Sequence, residues 1–355
     1  MINDSREESL MANENLATKE ITQVDAAASV AAGAKVYIDN GGTFARANLD
    51  DVFKISDTFQ TLRGNGSPHN GIFRGKDLTN VYTVAQMYSM VHSGNFDDLF
   101  LGDYFTVSIT TDIYTHFTGS TFDSGTTYYE ASGTINERVW TATSDATPQS
   151  GKIYATKLTK TESVALMFAG FDYYYGNGDT ALGTHHAVLI PRSVLATTAA
   201  MNPTNTTAGG YANSDMHQII LPCYAKAFKT ALGNHLLQHR SWLTTSVDSS
   251  TTTAAAAGMQ GASKTAAWST VELQLMNEVQ LYGSTLWSSS AFDVGNDTKI
   301  LPVFNFINPT QYGRNNTWLR AVMNDTFFCA CNNSGLAGGN GASSAIYVRP
   351  VILFG

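Results

Sequence analysis

Side chains able to serve as metal ligands, nucleophiles or acid–base groups are few in this chain, and spacing limits what each can do. His235 and His239 stand four residues apart in His-Leu-Leu-Gln-His. On a helix that interval puts two imidazoles one turn apart on a single face. A zinc peptidase would need Glu directly after the first histidine as general base, but Leu236 holds that place and no third ligand is evident. His185 and His186 are adjacent, so on a strand they face opposite sides and at most one reaches any given site. Cys329 and Cys331 lie two apart and would share one side of a strand. With Cys223 they make three cysteines, which cannot form a disulfide framework, and the pair reads as small residues of a partly buried strand. Gly176-Asn177-Gly178-Asp179-Thr180 has the outline of a phosphate loop but lacks the Gly-Lys-Ser/Thr ending and any basic residue, so a turn is expected. No Gly-x-Ser-x-Gly elbow marks a serine nucleophile. Asp97/Asp98 and Asp172/Asp179 show no pairing suited to glycoside hydrolysis. Tyr173-Tyr174-Tyr175 fits half-buried strand tyrosines better than a stacking platform for sugars. The expectation is a non-enzyme with no catalytic residue, no metal ligand and no cofactor.

The elements that must carry these residues follow from composition and periodicity. A chain of 355 residues can bury one large core plus a small one. Charged residues make up 14%, against a typical quarter, and Thr, Ser, Asn and Gly fill the difference, as in β-rich, loop-rich proteins. A formal net charge of −8 without any Lys/Arg run argues against nucleic acid or an anionic membrane surface as partner. No stretch approaches the roughly 18 apolar residues needed to insert into a membrane, and the polar start MINDSREESL shows no secretory signal.

Residues 1–18 read as a disordered tail. Residues 19–62 read as a small module: a hairpin over Val36–Arg46 turning at Asn40-Gly41, then a short helix from Leu49 to Ile55 capped by Asn48. Residues 63–76, with Gly64, Gly66 and Pro68, read as a linker to the main domain, 77–355. There, a capping box at Thr83–Gln86 opens a helix with Val84, Met87, Tyr88 and Val91 on one face and Gly94 as its stop. Leu101–Ile109 and Thr184–Ile190 read as strands, with strand-rich chain over 110–160. A helix is expected from Ser214 toward Leu237, kinked or divided at Pro222. Thr244–Ala267 reads as an exposed low-complexity loop, and Trp268–Tyr282 as helical in whole or in part from the spacing of Val271, Leu275, Val279 and Tyr282, with Gly283 following.

The last forty-five residues differ in character from the rest. Between Asn315 and Tyr347 there are six Asn, no Lys, no Glu and two formal charges, Arg320 and Asp325. Trp318-Leu319-Arg320 stands on one side of this interval, and Val348-Arg349-Pro350 with the apolar Val351–Phe354 on the other. Such a segment can present a surface without strong acid–base chemistry.

These residues, with Gly313-Arg314 and Gly341-Ala342, resemble the variable segment of diversity-generating retroelement target proteins. Weaker upstream likenesses are Leu101–Phe105, Gly209-Gly210-Tyr211 followed by Ser214-Asp215-Met216, and Met276–Val279. The resemblance implies an α+β chain. Its main part would be a C-type lectin-like domain of the formylglycine-generating-enzyme branch, an irregular antiparallel sheet with two or more helices, preceded by a small β-rich module. That module itself resembles attachment modules of phage tail fibres. The resemblance implies a non-catalytic, trimeric receptor-binding protein of a virion. Its module would join other virion proteins, and its variable segment, 315–347, would meet a host-cell protein or glycan. In that family adenine-directed mutagenesis rewrites Asn codons, which makes Asn315, Asn316, Asn324, Asn332, Asn333 and Asn340 candidate variable, ligand-binding positions. Ala321, Met323, Asp325, Phe327, Cys329, Cys331, Leu336, Ser344 and Ile346 join them, and Trp318, Arg320 and Arg349 would form the scaffold beneath. The alternatives are a structural virion protein that binds no receptor and, after it, an oxidase of the formylglycine-generating type using Cys329 and Cys331.

Overall fold

The computed structural model describes residues 35–39, 44–48, 68–248 and 261–355. By its internal contacts the chain forms two units, residues 1–64 and 65–355. In the first, β1 (Lys35–Asp39) pairs antiparallel with β2 (Phe44–Asn48), with Asp39 opposite Phe44. That is the hairpin expected around Asn40-Gly41. The turn itself, the tail 1–18 and the helix expected at Leu49–Ile55 lie outside the described residues.

The second unit opens with a short turn, Pro68–Gly71, and α1 (Val84–His92). Strands β3 (Tyr104–Phe117), β4 (Tyr129–Ser132), β5 (Val139–Ala142), β6 (Tyr154–Phe171), β7 (Ala187–Pro191) and β8 (Thr198–Ala199) follow. Next come α2 (Leu221–Ala231), β9 (His239–Val247), β10 (Ser263–Val271), β11 (Leu273–Leu275) and α3 (Glu278–Tyr282). The chain ends with β12 (Thr317–Val322), β13 (Phe327–Cys331), β14 (Ala337–Gly341), β15 (Ile346–Tyr347) and β16 (Pro350–Phe354). The fold is α+β, with mostly antiparallel sheets and few helices.

A seven-stranded sheet runs β11-β16-β7-β6-β4-β5, and β3 pairs along β6 from Tyr104↔Met167 to Phe117↔Tyr154. On β3 burial alternates residue by residue from Phe105 to Ile113, because successive side chains of a strand point to opposite faces. β7 and β16 are buried along their whole length. Leu189, Ile352 and Phe354 enter one core cluster, and Val188, Ile190, Val351 and Leu353 enter the other. Buried on both faces, these strands must be apolar throughout, which explains Ala-Val-Leu-Ile and Val-Ile-Leu-Phe. A five-stranded sheet, β14-β13-β12-β15-β8, carries the Asn-rich segment, and β9 and β10 form a separate hairpin.

Four expectations change. Residues 68–76, expected as linker, are docked: Phe73 bridges to Leu101, and Arg74 pairs with Asp98 and Asp103. The helix over Ser214–Leu237 is shorter, a π-type turn over Met216–Ile220 continuing into α2. Pro222 sits in the first turn of α2, where its missing N–H costs least, and the chain leaves the helix at Ala231. Trp268–Tyr282 is not one helix: β10 and β11 occupy most of it, and only Glu278–Tyr282 is helical. Trp268 pairs across from Trp242, and cross-strand packing of aromatic and β-branched side chains outweighs the apparent helical spacing. The loop expected over 244–267 is flanked by strand at both ends, and 249–260 lie outside the described residues.

Candidate functional site

The five-stranded sheet is fixed from within by three side chains. Trp318, fully buried on β12, donates from Nε1 to the Ala199 carbonyl on β8, 2.8 Å away. Arg320 is equally buried, and its Nη2 meets Asp297 Oδ2 at 2.9 Å and the Val294 carbonyl at 3.1 Å. Its Nη1 donates to the Trp242 carbonyl at 3.2 Å. Gln274 Nε2 donates to the same Asp297 oxygen (3.1 Å) and to the Tyr174 hydroxyl (2.9 Å), which also accepts from Gln280 Nε2 at 2.7 Å. These bonds offset part of the cost of burying the ion pair, although Arg320 Nε and Asp297 Oδ1 are buried without a partner. Among the described residues Arg349 has no carboxylate partner. It donates to the carbonyls of Pro191, Pro309 and Arg192 at 2.9, 2.8 and 3.2 Å, and burial pushes its guanidinium down to about 10.

Two more buried carboxylates shape the loops around this core. Glu278 accepts from the backbone N–H groups of Leu286, Trp287 and Ser288 and from the Ser288 hydroxyl. Asp293 accepts from the hydroxyls of Thr244 and Ser263 at 2.7 and 2.8 Å and from Ser289 N at 2.9 Å. Sequence reasoning missed all three acids. A signal existed: after Glu278 only Asp293, Asp297 and Asp325 are acidic, so a buried Arg320 had few possible partners.

The fifteen candidate ligand-binding positions separate into three groups. Ala321, Cys329, Cys331 and Ile346 are buried. The first three point into one apolar cluster with Leu319, Met167 and Leu353. These four are corrected: the structure places them at buried positions, not on an exposed face. Burial pushes both thiols up, away from the reactive thiolate. Met323, Asn324, Asp325, Phe327, Asn340 and Ser344 gather at one end of β13. Thr207 joins them there, donating from its backbone N–H to the Asp325 carbonyl and from its hydroxyl to the Asn324 carbonyl. Asn315, Asn316, Asn332, Asn333 and Leu336 gather at the other end, where Asn316 Oδ1 accepts from Asn333 N at 2.8 Å. A five-residue strand separates the two ends by about 16 Å.

Several of the asparagines already have local work. Asn324 Oδ1 accepts from the backbone N–H groups of Thr326 and Phe327, at 3.0 and 2.7 Å. Asn332 Oδ1 accepts from those of Ser334 and Leu336, both at 2.9 Å. Each closes a turn that its short amide side chain suits. Each end also presents one exposed apolar side chain, Phe327 (37% exposed) or Leu336 (64%).

The histidines do not meet as a metal site. His235 lies beyond α2 and stacks on Tyr88 at 3.6 Å, whereas His239 opens β9, buried against Tyr174. The expected placement of both on one helical face is therefore corrected, because the helix ends before either is reached. His186 is buried, and His185 pairs with Asp172 at 2.7 Å. Among the described residues no group of three His, Cys, Asp or Glu side chains is placed to hold a metal ion. Tyr174 is buried, whereas Tyr175 is exposed and stacks on His185. Compared with known proteins, the chain matches no family model, no curated protein and no solved structure. The surface at both ends of β13 offers amides, hydroxyls and single apolar side chains, the equipment of reversible binding.

Proposed function

We propose that this chain is a non-catalytic binding protein of the diversity-generating retroelement type. Its main unit would be C-type lectin-like, and its loops at the two ends of β13 would meet a host-cell protein or glycan from an exposed position on a phage particle. The first unit would serve as attachment and trimerisation module. The observation that carries this is the contrast within one segment. Trp318, Arg320 and Arg349 are buried and hydrogen-bonded within the fold, while Asn316, Phe327, Asn333 and Leu336, a few residues away, face solvent. A surface can be rewritten only where the stabilising contacts lie elsewhere, and a rigid base limits the entropy lost on binding. Several copies on one particle would raise a weak single-site affinity by avidity.

The test is to sequence the 3′ end of this gene in closely related isolates. Substitutions should concentrate at Asn315, Asn316, Met323, Asn324, Asp325, Phe327, Asn332, Asn333, Leu336, Asn340 and Ser344, at nucleotides where the template copy carries adenine. Ala321, Cys329, Cys331 and Ile346 should stay small or apolar. Differences spread evenly along the gene would defeat the proposal.

A further inference from the structure

A second site lies outside the Asn-rich segment and does not depend on its diversification. Where β7 ends, the chain turns away from β6 over Pro191–Val194 and leaves a groove of about 310 Å³ against Ser163, Val164 and Ala165, closed on one side by Tyr312. This falls at the lower end of the volumes that hold small ligands. Its only charged lining residue is Arg192. The guanidinium carbon lies 3.9 Å from the ring centre of Tyr104 and 4.0 Å from that of Tyr312. Its backbone is pinned as well: Arg192 N donates to the Ala165 carbonyl at 2.8 Å, and the Arg192 carbonyl accepts from Arg349. Position is thus fixed by stacking and main-chain bonds, not by a carboxylate.

The guanidinium's donors are consequently unspent. Among the described residues Arg192 makes no ion pair and no side-chain hydrogen bond, and its Nε is buried without a partner. Glu162, next to Ser163 but not lining the groove, accepts from the Ala196 N–H through Oε2 at 2.8 Å, and its Oε1 is buried without a partner. Asp77 is held below the usual carboxylate range chiefly by the Thr79 hydroxyl, with Arg192 a minor influence. An arginine stacked on aromatic rings, with its terminal N–H groups unpaired among the described residues, is suited to a planar carboxylate. Tyr312 offers a ring face for a sugar, Ser163 and Ser193 offer hydroxyls, and Val164, Ala165, Pro191 and Val194 supply an apolar wall.

We infer that this groove binds a carboxylate-bearing sugar, a uronic-acid unit, with Arg192 on the carboxylate and Tyr312 against the ring. Calorimetric titration of the full chain with sodium glucuronate, glucose and sodium acetate tests it. Glucuronate should bind, and glucose and acetate should each bind at least about tenfold more weakly, since one lacks the charge-assisted pair and the other the ring. Arg192→Gln should weaken glucuronate about tenfold or more, and Tyr312→Leu should weaken it less. Both variants should keep the parent's melting temperature within a few degrees. If either melts far lower, Arg192→Lys, which keeps charge but loses the fork, replaces it; affinity equal to the parent's then overturns the site. Binding of glucose or acetate as tight as glucuronate, binding unaffected by Arg192→Gln, or no glucuronate binding at millimolar concentration each overturns it. Because none of these residues lies within 315–347, loss of this site leaves the proposal for the Asn-rich loops standing, and the reverse.

Discussion

At the scale of single residues, the feature that most constrains this protein is charge held inside it. Arg320 and Asp297 are both essentially inaccessible and share one hydrogen bond. Removing one partner leaves the other buried and uncompensated, so Asp297→Ala should cost about 3–5 kcal/mol. The double variant Asp297→Leu/Arg320→Met should be less destabilised than Asp297→Ala alone, because it removes both desolvation penalties at once. Urea denaturation of the single and double variants decides this, and a double variant worse than the single would refute it. Two histidines add a pH dependence. Burial pulls His239 down to about 3 and His217 to about 4, from an ordinary 6.5. The unfolded chain therefore protonates first as pH falls. The stability due to each neutral ring is complete above pH 6.5 and is lost progressively below it, at about 1.4 kcal/mol per pH unit per histidine. Between pH 6.5 and 5 this amounts to about 2 kcal/mol each. His239→Phe keeps the stacking on Tyr174 and should make the dependence visibly shallower in urea titrations at pH 5, 6 and 7.5. An unchanged slope would show that His239 does not carry it.

At the scale of elements, legibility in the sequence followed how local the cause was. The Thr83–Gln86 capping box and the burial of Met87 and Val91 were readable, because a helix start depends on four neighbouring residues. The hairpin β1–β2 was readable from one dipeptide. The division of Trp268–Tyr282 into β10, β11 and α3 was not, since it depends on β9 and β16, which are remote in sequence. Within the site, the buried anchors Trp318, Arg320 and Arg349 were readable as large or planar groups flanking a polar run. Cys329 and Cys331 were readable as small residues on one side of a buried strand, whereas the inward facing of Ala321 was not, because β12 is buried along its whole length and alternation gives no warning of that. Glu278 makes a further prediction at this scale. It sits at the first position of α3 and gathers the N–H groups of residues 286–288. Glu278→Ala strands those donors, which should cost about 2–4 kcal/mol and release the loop. Hydrogen exchange should show the amides of Leu286, Trp287 and Ser288 losing protection well before those of β7. Equal protection in parent and variant would mean the loop is held by something else.

At the scale of the whole molecule, the unit from residue 65 onward puts most of its stabilising contacts and its Asn-rich loops in separate places. Two apolar clusters lie on either side of the central strands, and the last strand, β16, contributes to both. The loops give them little: Ala342 enters one, and Met323 packs at the margin of the other. A molecule arranged this way should tolerate change at its loop tips and fail at positions only two residues further along the same strand. Phe327→Ser, Asn333→Tyr and Leu336→Ser together should each stay within about 0.5 kcal/mol of neutral, leaving the melting temperature within a few degrees. Cys329→Asp, two residues from Phe327, places a carboxylate in a site with no cation and should unfold the chain at room temperature, since a buried unpaired charge costs far more than a domain's margin of stability. Circular dichroism and thermal scans of the triple variant and of Cys329→Asp give the answer directly. A triple variant that melts far below the parent would mean the loop tips are part of the scaffold, and the surface could not then be exchanged without loss of the fold.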